Sequence, residues 1–193
     1  MNTEMQPLEY DAATQPVVRK LTMKVFGIGG AGGNAVDYMA RQELSGVQFM
    51  AINTDNQALG RLGLRDRMAL GLRRTRGLGT GGDPLVGRAA AEEDVEKLRT
   101  LCADTDIICL LAGMGGGTGT GAAPVVARIA RECGALVVGI VTTPFEFEGV
   151  RRNHQAQKGL VELKAACDGV ICLPNGKVEK MIDENTSVEE AFK

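Results

Sequence analysis

The residues best able to do chemistry in this 193-residue chain are small ones in runs. Gly113-Met114-Gly115-Gly116-Gly117-Thr118-Gly119-Thr120-Gly121 follows the apolar stretch 107–111 and precedes an apolar-periodic stretch from Ala122. Such a loop can turn backbone N–H groups onto an anion, with a helix N-terminus behind them. Glycine permits close approach and positive φ, and Thr118 and Thr120 add hydroxyl donors. A flexible linker has a similar composition, but linkers are seldom set between a buried strand and a packed helix. Two more glycine-rich runs occur: Gly29-Gly30-Ala31-Gly32-Gly33-Asn34 and Gly77-Leu78-Gly79-Thr80-Gly81-Gly82-Asp83. Polar groups follow other apolar runs as well: Asn53-Thr54-Asp55, Thr142-Thr143 with Glu148 and Arg152 beyond, and Asn175.

Alternating elements are needed to hold these groups together. Apolar runs predict strands at 23–28, 47–52, 68–70, 107–111, 135–141 and 169–173. Helical patterns fall at 35–41, 56–62, 86–101, 122–131, 150–166 and 177–182. Glu92, Glu93, Glu96 and Lys97 read as the solvated face of the helix at 86–101. The alternation predicts an α/β fold: a doubly wound, mostly parallel sheet with helices on both faces. Ligands of such sheets bind beyond the carboxyl ends of the strands, where the glycine runs and polar groups stand. Residues 1–20, with Pro7 and Pro16 and no period, read as a flexible tail, and 21–183 as the ligand-binding domain. Ser187 and Glu190 have capping-box spacing, and Val188, Ala191 and Phe192 form an apolar set. That predicts a helix starting within 184–193, with no following element to bury it, as in a chain cut short.

Composition narrows the classes. Hydrophobic content is 44% and charged content 24%, ordinary for a globular protein. The net charge of −2 offers no broad basic field for nucleic acid, and 4% aromatics without Trp offer no stacking platform. Five cysteines, at 102, 109, 133, 167 and 172, include no CxxC pair, and His154 is the single histidine. Zinc ligation is not expected; reduced thiols are. Cys109 and Cys172 lie in apolar runs and are expected in the core. No signal peptide is apparent and the longest apolar runs are strand-length, so no membrane insertion is expected.

Two nucleotide readings compete on the residues alone. Gly27, Gly29 and Gly32 fit GxGxxG, and Asp55 ends the next strand where a ribose-binding acid would sit; this is the pattern of a Rossmann dinucleotide-binding oxidoreductase module. Against it stands a second anion loop at 113–121, since a dinucleotide needs one pyrophosphate loop and a triphosphate can use several. A P-loop would require GxxxxGK followed by Ser or Thr, and no lysine follows any glycine run here.

Gly115-Gly116-Gly117-Thr118-Gly119-Thr120-Gly121 resembles the signature loop of the tubulin and FtsZ GTPases, and is closer to the FtsZ branch. Residues 29–34, 53–55, 113–126, Pro144-Phe145 with Phe147-Glu148-Gly149, and Pro174-Asn175 fall in that family's order, so the resemblance covers about residues 23–193. It implies a GTP/GDP site. Gly30, Ala31, Gly32, Gly33 and Asn34 would hold the α and β phosphates. Gly117, Thr118 and Gly119 would surround the β and γ phosphates, and Gly81 and Gly82 would sense the γ-phosphate. Glu148 would bond the ribose, with Arg152 nearby; Asn175 would contact guanine and Phe192 would stack on it. Asn53 and Thr142 complete the nucleotide-binding set. Mg2+ would be held mainly by phosphates and water. Alternatives stand beside these roles: Glu148 and Arg152 as a solvated i, i+4 pair, Asn175 as a turn residue, Asn34 as a helix cap, Phe192 as core.

The resemblance further implies a cytoplasmic protein at the mid-cell division site. It would polymerise head to tail and meet division-ring accessory proteins. The catalytic acid would come from an adjacent subunit, so no catalytic residue is expected in this chain, which should bind GTP but hydrolyse it poorly. Three departures stand out. Ala31 replaces a common glycine and needs a negative φ. Thr80-Gly81-Gly82-Asp83 replaces Ala-Gly-Ala-Asn, and Asp83 would repel phosphate if it faced inward. Gly176 stands where Asp is common.

Overall fold

The computed structural model describes residues 20–42 and 44–178. The elements run β1 (Met23–Ile28), α1 (Gly29–Ala40), β2 (Val47–Asn53), α2 (Asn56–Arg61), β3 (Arg67–Ala69), α3 (Leu72–Thr75), α4 (Pro84–Glu93), α5 (Val95–Cys102), β4 (Ile107–Gly113), α6 (Thr118–Glu132), β5 (Leu136–Thr143), a 3-10 turn (Glu146–Glu148), α7 (Val150–Ala166), β6 (Gly169–Pro174) and α8 (Asn175–Val178). All six strands are parallel, in the order β3-β2-β1-β4-β5-β6.

Alternation along the strands divides the core between the two faces. Phe26, Ile28, Ile108, Leu110 and Val137 pack with α4, α5, α6 and α7. Val25, Phe49 and Ala51 face the other way, onto α1 and α2. Burying each of the Val, Leu, Ile and Phe side chains contributes about 1.5–3 kcal/mol. The expected doubly wound architecture is present. On the α1 side, Leu136, Ile171 and Leu173 of β5 and β6 remain half exposed among the described residues.

Several boundaries differ from expectation. Both anion loops are shorter than they read, because α1 starts at Gly29 and α6 at Thr118, inside the glycine runs. Two of their glycines are packing sites: a Cβ on Gly32 would overlap the Leu111 carbonyl, and one on Gly119 the Gly113 carbonyl. The helix expected over 86–101 is two helices broken at Asp94. Asp94 is buried and accepts from the Gly71 amide at 2.7 Å and from Lys97 at 2.5 Å. The short α3 and the 3-10 turn were not expected. Cys109 and Cys172 are only half-buried; the buried cysteines are Cys102 and Cys167. The tail at 1–19, the helix at 184–193 and Phe192 lie outside the described residues.

Candidate functional site

Chain order reverses between β1 and β4, and the carboxyl ends of those neighbours open into a cleft. Each strand feeds a helix whose N-terminus faces it. Gly29, with φ of 76°, opens α1, and Thr118 opens α6. The two starts nearly touch: a Cβ on Gly29 would lie 3.0 Å from the Gly119 amide nitrogen. Ile28 and Gly117 occupy the N-cap positions without any side-chain cap, and neither first turn carries an acid. First-turn N–H groups of both helices therefore lack side-chain acceptors, and two positive dipole ends meet in one place. That arrangement suits a polyanion.

The cleft encloses about 260 Å³. Ile28, Gly29, Gly30 and Ala31 form one wall; Gly113, Met114 and residues 116–119 form the floor and the second wall. Thr80, Thr142, Pro144, Glu148, Arg152 and Asn175 close the rim. Thr118 is held from behind by a buried 2.7 Å hydroxyl contact with Thr54. Ala31 has the negative φ it needs, since among the described non-glycine residues only Arg76 and Asp104 are positive. Glu148 accepts from the Phe145 amide at 2.8 Å and pairs with Arg152 at 2.7 Å. Among the described residues no three His, Cys, Asp or Glu side chains gather to ligate a metal.

Of the residues expected at a nucleotide site, Gly30, Ala31, Gly117, Thr118, Gly119, Thr142, Glu148, Arg152 and Asn175 line this cleft. Gly32, Gly33 and Asn34 do not. The first two are on the buried face of α1, and Asn34 is exposed within the helix, where it is not the cap. Asn53 is buried and bonds the amides of Thr54 (2.8 Å) and Asp55 (3.3 Å). Gly81 and Gly82, with φ of 61° and 81°, form a turn closed by the Asp83 amide and the Thr80 carbonyl at 3.2 Å. The turn swings both glycines out of the lining and brings Thr80 in. A hydroxyl inside a glycine run was the signal available for it. Asp83 faces away: it caps α4, accepting from the Leu85 amide at 2.8 Å. Asp55 likewise caps α2, bonding Gln57 and Ala58 amides at 2.8 and 3.0 Å, and is not a cleft acid. A larger hollow of about 770 Å³ between α4, α6 and α7 includes no glycine-loop residue, and the Arg88–Glu162 and Arg128–Glu132 pairs line it.

The model of the Tubulin/FtsZ family GTPase domain matches residues 22–183. The chain belongs to this family. It is 46% identical over 170 residues to the cell division protein FtsZ of Buchnera aphidicola subsp. Baizongia pistaciae (strain Bp), a match covering 88% of this chain and 44% of that protein. The structure of an empty FtsZ dimer from M. jannaschii superposes with a TM-score of 0.85 at 40% identity, over 90% of this chain and 50% of that one. CetZ2 from Haloferax volcanii, a GTPγS-bound protofilament, gives a TM-score of 0.78 at 26% identity, over 89% and 54%. The chain thus spans about half the length of these tubulin/FtsZ relatives. None of these findings supports the oxidoreductase alternative.

Proposed function

We propose that this chain binds GTP and GDP in the cleft between α1 and α6, as the nucleotide domain of a GTPase that assembles head to tail at the bacterial division ring. One observation carries the reading: two uncapped helix N-termini converge on one cleft in a tubulin/FtsZ family chain. Phosphates would take the first-turn N–H groups, with the Thr80 and Thr118 hydroxyls at the terminal phosphate. Ribose hydroxyls would reach Glu148, guanine would meet Asn175, and Phe192 would stack on the base. Apart from the Glu148 carboxylate, which the Phe145 amide and Arg152 already engage, the cleft's hard oxygens among the described residues are hydroxyls and carbonyls, so a Mg2+ ion would be held mainly by phosphate oxygens and water.

Among the described residues Glu148 is the one carboxylate on the cleft, and the Phe145 amide and Arg152 already engage it. A water-activating acid would then come from a neighbouring subunit. Leu78, Leu85, Phe147 and Val150, each 73% exposed or more, stand on the segments around the cleft and suit that contact. The dimer and protofilament named for the FtsZ and CetZ2 structures support the same reading. We place the protein in the cytoplasm at mid-cell, among division-ring accessory proteins.

Competition titrations with a fluorescent GTP analogue test the binding step. GTP and GDP should displace it and NAD should not; displacement by NAD ahead of GTP would overturn the reading. Chain 1–193 alone should turn over GTP far more slowly than a full-length relative. Added in small proportion to FtsZ filaments, it should shorten them; unchanged filaments would count against the shared interface.

A further inference from the structure

The chain's net charge of −2 hides a local excess. Arg61, Arg65, Arg67, Arg73, Arg74 and Arg76 are opposed within residues 61–76 by Asp66 alone, a balance of +5 that leaves −7 on the remainder. All six arginines are exposed. Arg67 donates to the Leu59 and Leu62 carbonyls at 2.9 and 3.4 Å and so closes the C-terminus of α2. The side chains of the other five have no ion pair or hydrogen bond among the described residues. Of the nearby acids, Asp37 holds Arg41 and the Leu64 amide, Glu93 accepts from the Arg73 amide, and Glu96 pairs with Arg99. Glu92 and Glu96 border the hollow beside Arg73.

These arginines flank β3, the edge of the sheet. The Ala51 amide donates to the Asp66 carbonyl at 3.0 Å, and the Leu70 amide to the Asn53 carbonyl at 2.8 Å. With Ile52 opposite Met68, alternation turns the N–H and C=O groups of Arg67 and Ala69 outward. A charge or two suffices to keep an edge from pairing with other sheets. A local excess of five positive charges within residues 61–76 repels itself and favours an incoming anion.

We infer that this edge docks an extended acidic segment of a partner protein, laid beside β3 as an added strand with its carboxylates on the arginine forks. Carboxylates take bidentate guanidinium bonds. An outward strand edge alternates donors with acceptors, which a peptide backbone matches and a polyphosphate, all acceptors, does not. Residues 61–76 contain no aromatic ring to stack on a base. Exposed Leu72 offers apolar contact beside the charges.

The probe is a labelled peptide of alternating glutamate and valine, titrated against chain 1–193 by fluorescence anisotropy at low salt. It should bind, weaken as salt rises, and bind about tenfold more weakly to the triple variant Arg65→Gln/Arg73→Gln/Arg74→Gln. The thermal melt of that variant should match the parent's, since all three side chains are exposed. A peptide N-methylated at alternate amides should lose binding. Equal binding by the triple variant, equal binding of the N-methylated peptide, or tighter binding of a DNA duplex or phosphatidylserine vesicles would each overturn the inference.

Discussion

Thr80 shows how much one hydroxyl can matter in a pocket built of glycine. Its Oγ1 occupies the space a Cβ on Gly117 would need, and no described protein group bonds it, so it is free to donate into the cleft. Thr80→Val keeps the shape and removes the donor, and should weaken GTP by about 1 kcal/mol, roughly fivefold, while leaving GDP unchanged; parallel titrations with the two nucleotides check it. Gly117→Ala should be worse for both, since the new methyl would overlap the Thr80 hydroxyl and lie 2.9 Å from the Asp83 amide nitrogen. Overpacking of that kind costs about 1–3 kcal/mol, read as a lowered melting temperature with loss of nucleotide binding. Burial pushes the Cys102 thiol up to about 12 and the Cys167 thiol up to about 11, from 9.0. The neutral thiol is favoured in the fold and the unfolded chain ionises first, so this contribution is whole below pH 9 and declines as pH rises towards 11–12. Thermal melts across that window should fall less steeply for Cys102→Ala/Cys167→Ala than for the parent. Polar residues at strand ends were the least legible class in the sequence. Asn53, Asp55 and Asp83 look like ligand groups on paper, yet each is spent on a backbone amide beside it. Residue type and position are the same for either use; only the direction of the side chain separates them.

Helix starts were misread for a related reason. Glycine has poor helix propensity, so runs of it read as loop. Gly32 of α1 and Gly119 of α6 are there because helix and strand approach too closely for a Cβ. Tertiary contact overrides propensity, and the cost of glycine is offset by that packing. Helices α4 and α6 cross in the same manner: a Cβ on Gly87 would overlap the Gly117 carbonyl, and one on Gly121 the Pro84 carbonyl. Gly121→Ala should therefore push α4 away and carry the Thr80 turn with it, lowering both stability and GTP affinity. The break at Asp94 was invisible because residues 86–101 keep a helical period through it. The carboxylate's partner, the Gly71 amide, is far off in sequence. Asp94→Ala would leave that buried N–H unpaired and should cost about 1–3 kcal/mol in urea unfolding, whereas Asp94→Asn, which keeps an acceptor, should cost less.

At the scale of the whole molecule the sequence was most informative about what repeats. Six apolar runs gave six strands, and their alternation with helices gave the doubly wound sheet. The strand order is the one shared by dinucleotide-binding domains, so topology alone does not select a nucleotide. The selection comes from the number of glycine loops reaching one cleft and from Asp55 being turned aside as a helix cap. Whole-chain averages were less helpful: a net charge of −2 concealed the arginine-rich edge. The two bare helix starts have a further consequence. A nucleotide seated there would complete the hydrogen bonding of α1 and α6 and so act as a part of the fold supplied from outside. Ligand at a hundredfold excess over its dissociation constant adds about 2.7 kcal/mol to stability. The protein's resistance to proteolysis and its lifetime in the cell would then rise and fall with the guanine nucleotide supply; protease survival with and without GDP measures that dependence directly.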